Sequence, residues 1–214
     1  MNRFMIVVNP DKDTDSIVTN RIQSYLEAHG AACMVRDVFH LESSDWEALK
    51  KEQFDCVLVL GGDGTLLRMA GETEDIDIPL FGINLGTVGF LTEGEVANIE
   101  EILDRLLTDD FTIEERMMVT GTVTKADGTT YRKSALNDIV ISRAGFSRLI
   151  GLNVSVDGQV LDTYEADGVV ISTPTGSTGY NLSAGGPIVS PDAELLVITP
   201  VSPHSLTAKS IVFR

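Results

Sequence analysis

Three segments carry residue types that can do chemistry at a spacing that would let them do it. The first is Gly61-Gly62-Asp63-Gly64-Thr65, directly after the apolar run Val57-Leu58-Val59-Leu60. Glycines at the exit of a buried strand let backbone approach a phosphate closely, and the helix start that follows offers free N–H donors. Asp63 is the informative member. A carboxylate beside a polyphosphate is repelled unless it holds a metal or takes a proton from a nucleophile. A tight turn with a capping aspartate would account for Gly-Asp-Gly alone; all five residues after such a strand ask for more. The second segment is Asn137-Asp138, set between apolar residues in Ser134–Ile141. Neighbouring strand residues point to opposite faces, and two polar residues among apolar ones cost stability unless something uses them. A sugar diol is one such partner, since a carboxylate accepts and an amide both accepts and donates. A turn at a strand edge is the plainer alternative.

The third segment is the densest, Asp167-Gly168 through Gly185-Gly186-Pro187. Here an apolar strand runs into Ser172-Thr173-Pro174-Thr175-Gly176-Ser177-Thr178-Gly179-Tyr180-Asn181-Leu182-Ser183. Small hydroxyl residues and glycines supply many donors in a narrow space without bulk, which suits a flat base or a phosphate. A surface Ser/Thr/Gly loop has the same composition.

The elements that must position these segments are legible in the apolar pattern. Phe4–Val8, Ala32–Val38, Asp55–Leu60 and Pro79–Asn84 read as strands. Helices are expected after a cap at Thr14 or Asp15, at Ser43–Lys51 behind Ser43 or Ser44, from Thr65, and near Val96–Leu107. A glycine-rich loop spans Leu85–Gly89. Alternating strands and helices imply an open parallel sheet covered on both faces, with ligands at the carboxyl ends of its strands. After Asp109-Asp110 the character changes. Phe111–Thr124 and Thr130–Arg143 read as long strands around an Asp127-Gly128 turn, and Leu152–Val156 and Val160–Tyr164 flank a second turn at Asp157-Gly158. Strands follow at Gly168–Ser172 and Leu195–Thr199. The expected fold class is α/β plus β: a Rossmann-like open parallel sheet over residues 1–109, then a mainly antiparallel, β-rich domain over 110–214.

Composition excludes several functions. The chain has 214 residues, 32 acidic against 16 basic, for a net charge of −16. Such a chain lacks the basic footprint of a nucleic-acid binder and the attraction to an anionic membrane, so an anionic nucleotide must be held by local N–H groups, a few cations or a metal. No apolar run approaches the ~18 residues of a membrane span. Met1–Pro10 is too short in its apolar part for a signal peptide. Cys33 and Cys56 lack metal-ligand spacing and suggest a reducing compartment, hence the cytoplasm. His204 reads as a loop residue, His29 and His40, with no partners in sequence, as surface or boundary residues, and Trp46 as packing. No Gly-x-Gly-x-x-Gly follows the first strand, which argues against a Rossmann dehydrogenase.

Together the three segments resemble the NAD kinases. The Gly-Gly-Asp-Gly-Thr motif is shared with diacylglycerol- and sphingosine-type lipid kinases, but the Asn137-Asp138 pair and the Asp167-Gly168 to Tyr180 segment are not. The resemblance also takes in Asn84–Leu91 and Ile198–Leu206. It implies transfer of a phosphoryl group from ATP or polyphosphate to the 2′-hydroxyl of the adenosine ribose of NAD, with Mg²⁺ or another divalent metal whose ligands remain unassigned. It implies NAD between the two domains, and a homodimer or homotetramer with sites built across subunits. By resemblance Asp63 accepts the hydroxyl proton, Gly64 and Arg68 line the same site, and Phe90 is a further lining residue for NAD. Asn137 and Asp138 bind the nucleoside, while Arg148 and Asp167 contact the dinucleotide. Thr175 and the run Thr178, Gly179, Tyr180, Asn181, Leu182 and Ser183 cradle the adenine side. Gly61, Gly62, Gly64 and Thr65 are the expected phosphate-binding residues.

Three departures from the family pattern stand out. Gly179 occupies a position where members often have alanine, Glu165 one where many have a basic residue, and the pattern continues beyond Ile211-Val212-Phe213, so the β-rich domain is expected to be short. Two other readings follow from the same residues. One is a lipid kinase sharing the Gly-Gly-Asp-Gly-Thr turn; the other is a nucleotide-binding relative without turnover.

Overall fold

The structure, a computed structural model, describes residues 1–51, 54–86, 89–145, 148–205 and 207–214. Thr87 and Val88 of the expected glycine-rich loop, Leu206, and the side chain of Ser43 lie outside the described residues. The chain divides into two compact units, Met1–Glu114 and Glu115–Arg214.

In the first unit, β1 (Arg3–Val8), β2 (Ala32–Asp37), β3 (Cys56–Gly61), β4 (Leu80–Asn84) and β5 (Gly94–Glu95) form one sheet in the order β2-β1-β3-β4-β5, with every pairing parallel. The apolar runs of β1 and β3 are continuous because both faces are covered, and period-2 alternation sorts them. Phe4, Ile6, Leu58 and Leu60 meet Ile22 and Leu26 of α1 (Ile17–Ala28) and Ile99 and Leu103 of α4 (Ile99–Leu107). Met5, Val7, Val57 and Val59 point the other way, to Leu49 of α2 (Ser43–Lys51) and Leu66 and Met69 of α3 (Asp63–Glu72). Trp46 packs at the edge of this second core, as its pattern implies. Cys56 is buried between the layers, and burial pushes its thiol up to about 12.

Local details depart from the expected boundaries. The first helix is capped not by Thr14 or Asp15 but by Asp13, whose carboxylate accepts the N–H groups of Val18 (3.2 Å) and Thr19 (2.8 Å) and the Thr19 hydroxyl (2.6 Å). The chain reaches back this far because Ser16 takes a left-handed turn (φ 53°). Burial alone would raise the Asp13 pKa, but these hydrogen bonds outweigh it and hold the carboxyl below its ordinary value. The helix expected from Thr65 starts at Asp63, so the aspartate sits in its first turn. The two histidines expected at the surface or its boundary find partners in space. His29 stacks on Tyr25 and bonds its carbonyl, and His40 lies 2.7 Å from the Asp37 carboxylate.

The second unit is antiparallel throughout. Strands β8 (Asp138–Ser142), β11 (Gly168–Ser172), β12 (Leu196–Val201) and β13 (Ile211–Phe213) form a sheet in the order β13-β12-β11-β8. Two ribbons accompany it, β6 (Val119–Thr124) with β7 (Thr130–Ala135) and β9 (Ile150–Val156) with β10 (Gln159–Ala166). Both expected Asp-Gly turns are present. Asp157 (φ 51°) and Gly158 (φ 78°) are both left-handed, as a two-residue hairpin turn requires. Two expected long strands are shorter. Residues 111–118 are not strand, and Thr130–Arg143 breaks at Leu136-Asn137. The break has a cause in the carbonyls there. Thr173 uses its N–H (2.8 Å) and hydroxyl (3.0 Å) on the Asn137 carbonyl and its hydroxyl on the Leu136 carbonyl (2.5 Å), which pulls this backbone out of the β7–β8 line.

Candidate functional site

Two clusters of the expected residues form, one in each unit. In the first unit the carboxyl ends of β1, β2 and β3 enclose a cleft of about 260 Å³, lined by Asn9, Lys12, Val38, Phe39, Gly62–Thr65 and Arg68. The sheet order reverses between β1 and β3, and a crevice at that reversal is where open α/β sheets bind ligands. The four turn residues nearest the cleft have different surroundings. Gly61 and Thr65 are buried against each other, for a Cβ on Gly61 would lie 2.3 Å from the Thr65 hydroxyl oxygen. Gly62 and Gly64 face the cleft.

Asp63 is held by the segment after β4. Its Oδ2 accepts the Phe90 N–H (2.8 Å), and its Oδ1 accepts the N–H groups of Leu91 (3.1 Å) and Thr92 (3.3 Å) and the Thr92 hydroxyl (3.3 Å). A carboxylate has about four acceptor positions, two on each oxygen, so among the described residues one on Oδ2 is left open. Gly89 permits the arrangement, since a Cβ there would fall 2.0 Å from Asp63 Oδ1. Phe90 projects beside it, 87% exposed. The Arg68 guanidinium lies 5.7 Å over the Phe39 ring.

In the second unit Asn137 and Asp138 do not diverge to opposite faces. Asn137 stands in the break before β8, so both side chains turn to Gly179. A Cβ there would lie 3.5 Å from Asn137 Nδ2 and 3.8 Å from Asp138 Oδ2. Gly176 is pressed against the same backbone, with its Cβ position 2.1 Å from the Asn137 carbonyl oxygen. Asn137 Oδ1 is buried and has no hydrogen-bond partner among the described residues. Burial also raises the Asp138 pKa above its ordinary value. The Ser/Thr/Gly run folds into a 3-10 turn (Thr175–Thr178) and α5 (Tyr180–Ser183). Tyr180 and Leu182 are about half exposed, while Asn181 is fully buried. Its amide donates to the Ser177 (3.1 Å) and Pro187 (2.9 Å) carbonyls and accepts the Thr199 hydroxyl (2.7 Å). Thr175 is buried, its hydroxyl 3.4 Å from an Arg116 guanidinium nitrogen, and Arg148 is exposed.

The sequence reading missed three residues that shape these clusters. Arg143 pairs with Asp167 (2.7 Å), because the register Gly168↔Ser142 sets the residues before and after those strands opposite each other. Thr173 ties the Asn137 backbone to the 3-10 turn, also accepting the Gly176 N–H (3.1 Å). Lys12 enters the cleft from a loop with no motif of its own. Among the described residues no group of three or more His, Cys, Asp or Glu could hold a metal ion, and no helix is long and apolar enough to cross a membrane.

Comparison with known proteins gives consistent results. The ATP-NAD kinase N-terminal domain matches residues 4–111, and the ATP-NAD kinase C-terminal domain matches residues 136–214. An NAD kinase of Lachnoclostridium phytofermentans is 47% identical over 216 residues, covering 99% of this chain and 75% of its own. One of Lachnospira eligens is 44% identical over 218 residues, covering 100% and 74%. Among solved structures, yeast NADH kinase complexed with NADH superimposes with a TM-score of 0.82 at 26% identity, over 99% of this chain and 69% of that one. An NAD kinase from Archaeoglobus fulgidus in complex with ATP gives 0.77 at 31% identity, over 98% and 76%.

Proposed function

The chain belongs to the ATP-NAD kinase family, and from that premise we propose how its residues divide the work of phosphorylating NAD. The activity is that of an NAD kinase, and the match to both domain models removes the ground for the lipid-kinase alternative. The acceptor atom is the 2′-hydroxyl oxygen of the adenosine ribose. The donor is ATP, with inorganic polyphosphate as a second candidate.

One observation carries the reading: the Asp63 carboxylate, in the wall of the cleft at the strand ends, is fixed by four donors with one Oδ2 position open. A ribose hydroxyl is a weak nucleophile at neutral pH, and a positioned carboxylate contributes roughly 10²–10⁴-fold as general base. Asp63 takes the hydroxyl proton as the oxygen bonds to phosphorus. The bond from that phosphorus to the donor's bridging oxygen breaks, and the shortened donor leaves with the electron pair. Gly62 and Gly64, beside the first turn of α3, admit the donor phosphates closely, while Gly61 and Thr65 hold the turn's shape.

In the first unit Gly64, Arg68 and Phe90 contact NAD beside Asp63. In the second, Asn137 Oδ1 is an acceptor with no donor, and NAD supplies one from a ribose hydroxyl or the base. Asp138 accepts from an adjacent hydroxyl. Thr175, Thr178, Gly179, Tyr180 and Leu182 line the adenine, with Asn181 fixing their backbone and Ser183 closing α5. Arg148 and Asp167 contact the dinucleotide, Asp167 that of a neighbouring subunit in a homodimer or homotetramer. Mg²⁺ or another divalent metal, bound together with the donor, would neutralise part of the charge on its phosphates. We assign the enzyme to the cytoplasm.

The test is the position of the new phosphate. After incubation with NAD and MgATP, phosphorus and proton NMR of the product should place the ester on the 2′ carbon of the adenosine ribose. An ester at the 3′ position or on the nicotinamide side would overturn the assignment of Asp63 and of the nucleoside contacts together.

A further inference from the structure

The cleft beside Asp63 holds two cations, Lys12 and Arg68, in a chain whose net charge is −16. They differ in what already engages them. The Arg68 guanidinium lies over the Phe39 ring, and its charge is among those that lower the Asp37 pKa. Lys12 belongs to the turn after β1, where its N–H bonds the Asn9 carbonyl (3.0 Å) and Asn9 in turn donates to Leu60 at the end of β3 (2.9 Å). That turn carries the side chain across the strand ends. A Cβ on Gly62 would come within 2.9 Å of Lys12 Nζ, and one on Gly86 within 3.7 Å. The ammonium therefore rests over two glycines, one after β3 and one after β4; a Cβ on Gly62 would crowd it, and one on Gly86 would touch it at ordinary contact distance. Among the described residues no carboxylate pairs with it and no acceptor takes its protons.

A lysine with no partner, held at the sheet's reversal point against bare backbone, has no role in stability to explain its placement. Its three N–H donors and compact charge suit a polyphosphate chain. We propose that Lys12 is a further catalytic residue of this phosphoryl transfer, its ammonium bridging non-ester oxygens of the donor's terminal phosphates above Gly62 and Gly86. The proposal rests on the reading of this cleft as the place of transfer. Lys12 moves no proton. Asp63 takes the hydroxyl proton and the bridging oxygen keeps the electron pair of the broken bond, while Lys12 offsets the negative charge that grows on that oxygen. A cation aimed at developing charge in this way is worth roughly 10²–10³-fold, the range measured for removing one such donor.

The experiment uses the full chain and two readouts. For Lys12→Met, kcat/KM for MgATP should fall roughly 10²–10³-fold while KM for NAD moves less than about twofold. Lys12→Arg should regain at least about a tenth of the parent value, since it keeps the charge but not the geometry. Thermal melts of both should overlay the parent, because the side chain is exposed and unpaired. Independently of turnover, calorimetry with inorganic triphosphate should show binding to the parent and at least tenfold weaker binding to Lys12→Met. Equal triphosphate affinity, with kcat/KM for MgATP within about threefold of the parent, would overturn the role of Lys12 while leaving Asp63 untouched. A parent protein that binds triphosphate through Lys12 but puts no phosphate on NAD would instead overturn the Asp63 reading and leave this contact standing.

Discussion

The two units each present a carboxylate beside a glycine turn, but in opposite states of satisfaction. Asp63 in the first unit has nearly all its acceptor capacity filled by the Phe90–Thr92 segment. In the second unit Asn137 keeps a buried oxygen without a partner, and burial makes the ionised form of Asp138 costly. A carboxylate fixed by backbone N–H groups is ready before any substrate arrives and needs no reorganisation during the reaction. A half-buried polar pair with one enclosed oxygen left open is a standing cost to the fold, recovered when a ligand supplies the missing donor. With the roles proposed for them, the contrast is between a catalytic turn that is preassembled and a binding turn that its ligand would complete.

The strongest way to break this comparison is Asp63→Asn. Turnover should drop roughly 10²–10⁴-fold with NAD affinity within a few-fold of the parent, measured by NADP formation and by calorimetry. An asparagine also turns N–H toward the N–H donors of residues 90–92, so the segment should exchange its amide protons faster. Near-parental turnover would remove Asp63 from the mechanism.

Next come the glycines that let each turn close. Gly89→Ala puts a Cβ 2.0 Å from Asp63 Oδ1, and Gly176→Ala puts one 2.1 Å from the Asn137 carbonyl oxygen. Each should destabilise its own unit by about 1–3 kcal/mol, the usual cost of overpacking, as read in urea unfolding. Gly89→Ala should depress kcat, and Gly176→Ala should raise KM for NAD. The same kinetic change from both variants would erase the distinction between the turns.

A smaller effect sharpens it through pH. The folded pKa of Asp138 lies above its unfolded value, so at a pH between the two the native state binds more protons than the unfolded state. Its contribution to stability is present below the ordinary carboxylate range and is lost as pH rises through the raised value. Asp138→Asn should therefore melt higher than the parent at pH 7, with the gain vanishing as pH falls below about 4. Because the group is only half-buried, solvent screening should keep the gain under the roughly 4–8 °C that 1 kcal/mol gives a unit of this size. The same variant should bind NAD more weakly. A melting point at pH 7 equal to or below the parent's would contradict the cost assigned to this carboxylate.

The smallest effect is expected from Gly179→Ala. The new methyl would sit 3.3 Å from the Gly176 carbonyl oxygen and at ordinary contact distance from Asn137 and Asp138. KM for NAD should change by less than about threefold, in either direction. A loss of tenfold or more would mean that the backbone at 179 itself touches the nucleotide.

Much of both units was legible along the chain. The runs Phe4–Val8 and Asp55–Leu60 announce buried strands, and Asp127-Gly128 and Asp157-Gly158 announce hairpins, because alternation and turn chemistry are properties of adjacent residues. The lengths of Phe111–Thr124 and Thr130–Arg143 were overread for the same reason. Both look like strands locally, yet Thr173, some 36 residues on, captures the Leu136 and Asn137 carbonyls and ends one of them.

What the sequence settled by itself is the order of elements, the apolar faces of the central strands, and the presence of a glycine-framed aspartate at a strand exit. Only the tertiary structure decided that this aspartate would be held by residues 90–92, that Arg143 would meet Asp167, that Asn137 and Asp138 would turn toward one glycine, and that Lys12 would reach Gly62 and Gly86. The reason is physical. Propensity and periodicity act between neighbours, whereas the partner of a side chain is fixed by strand register and by which loops emerge at the same edge of a sheet. Those relations join residues tens of positions apart, and no local pattern encodes them.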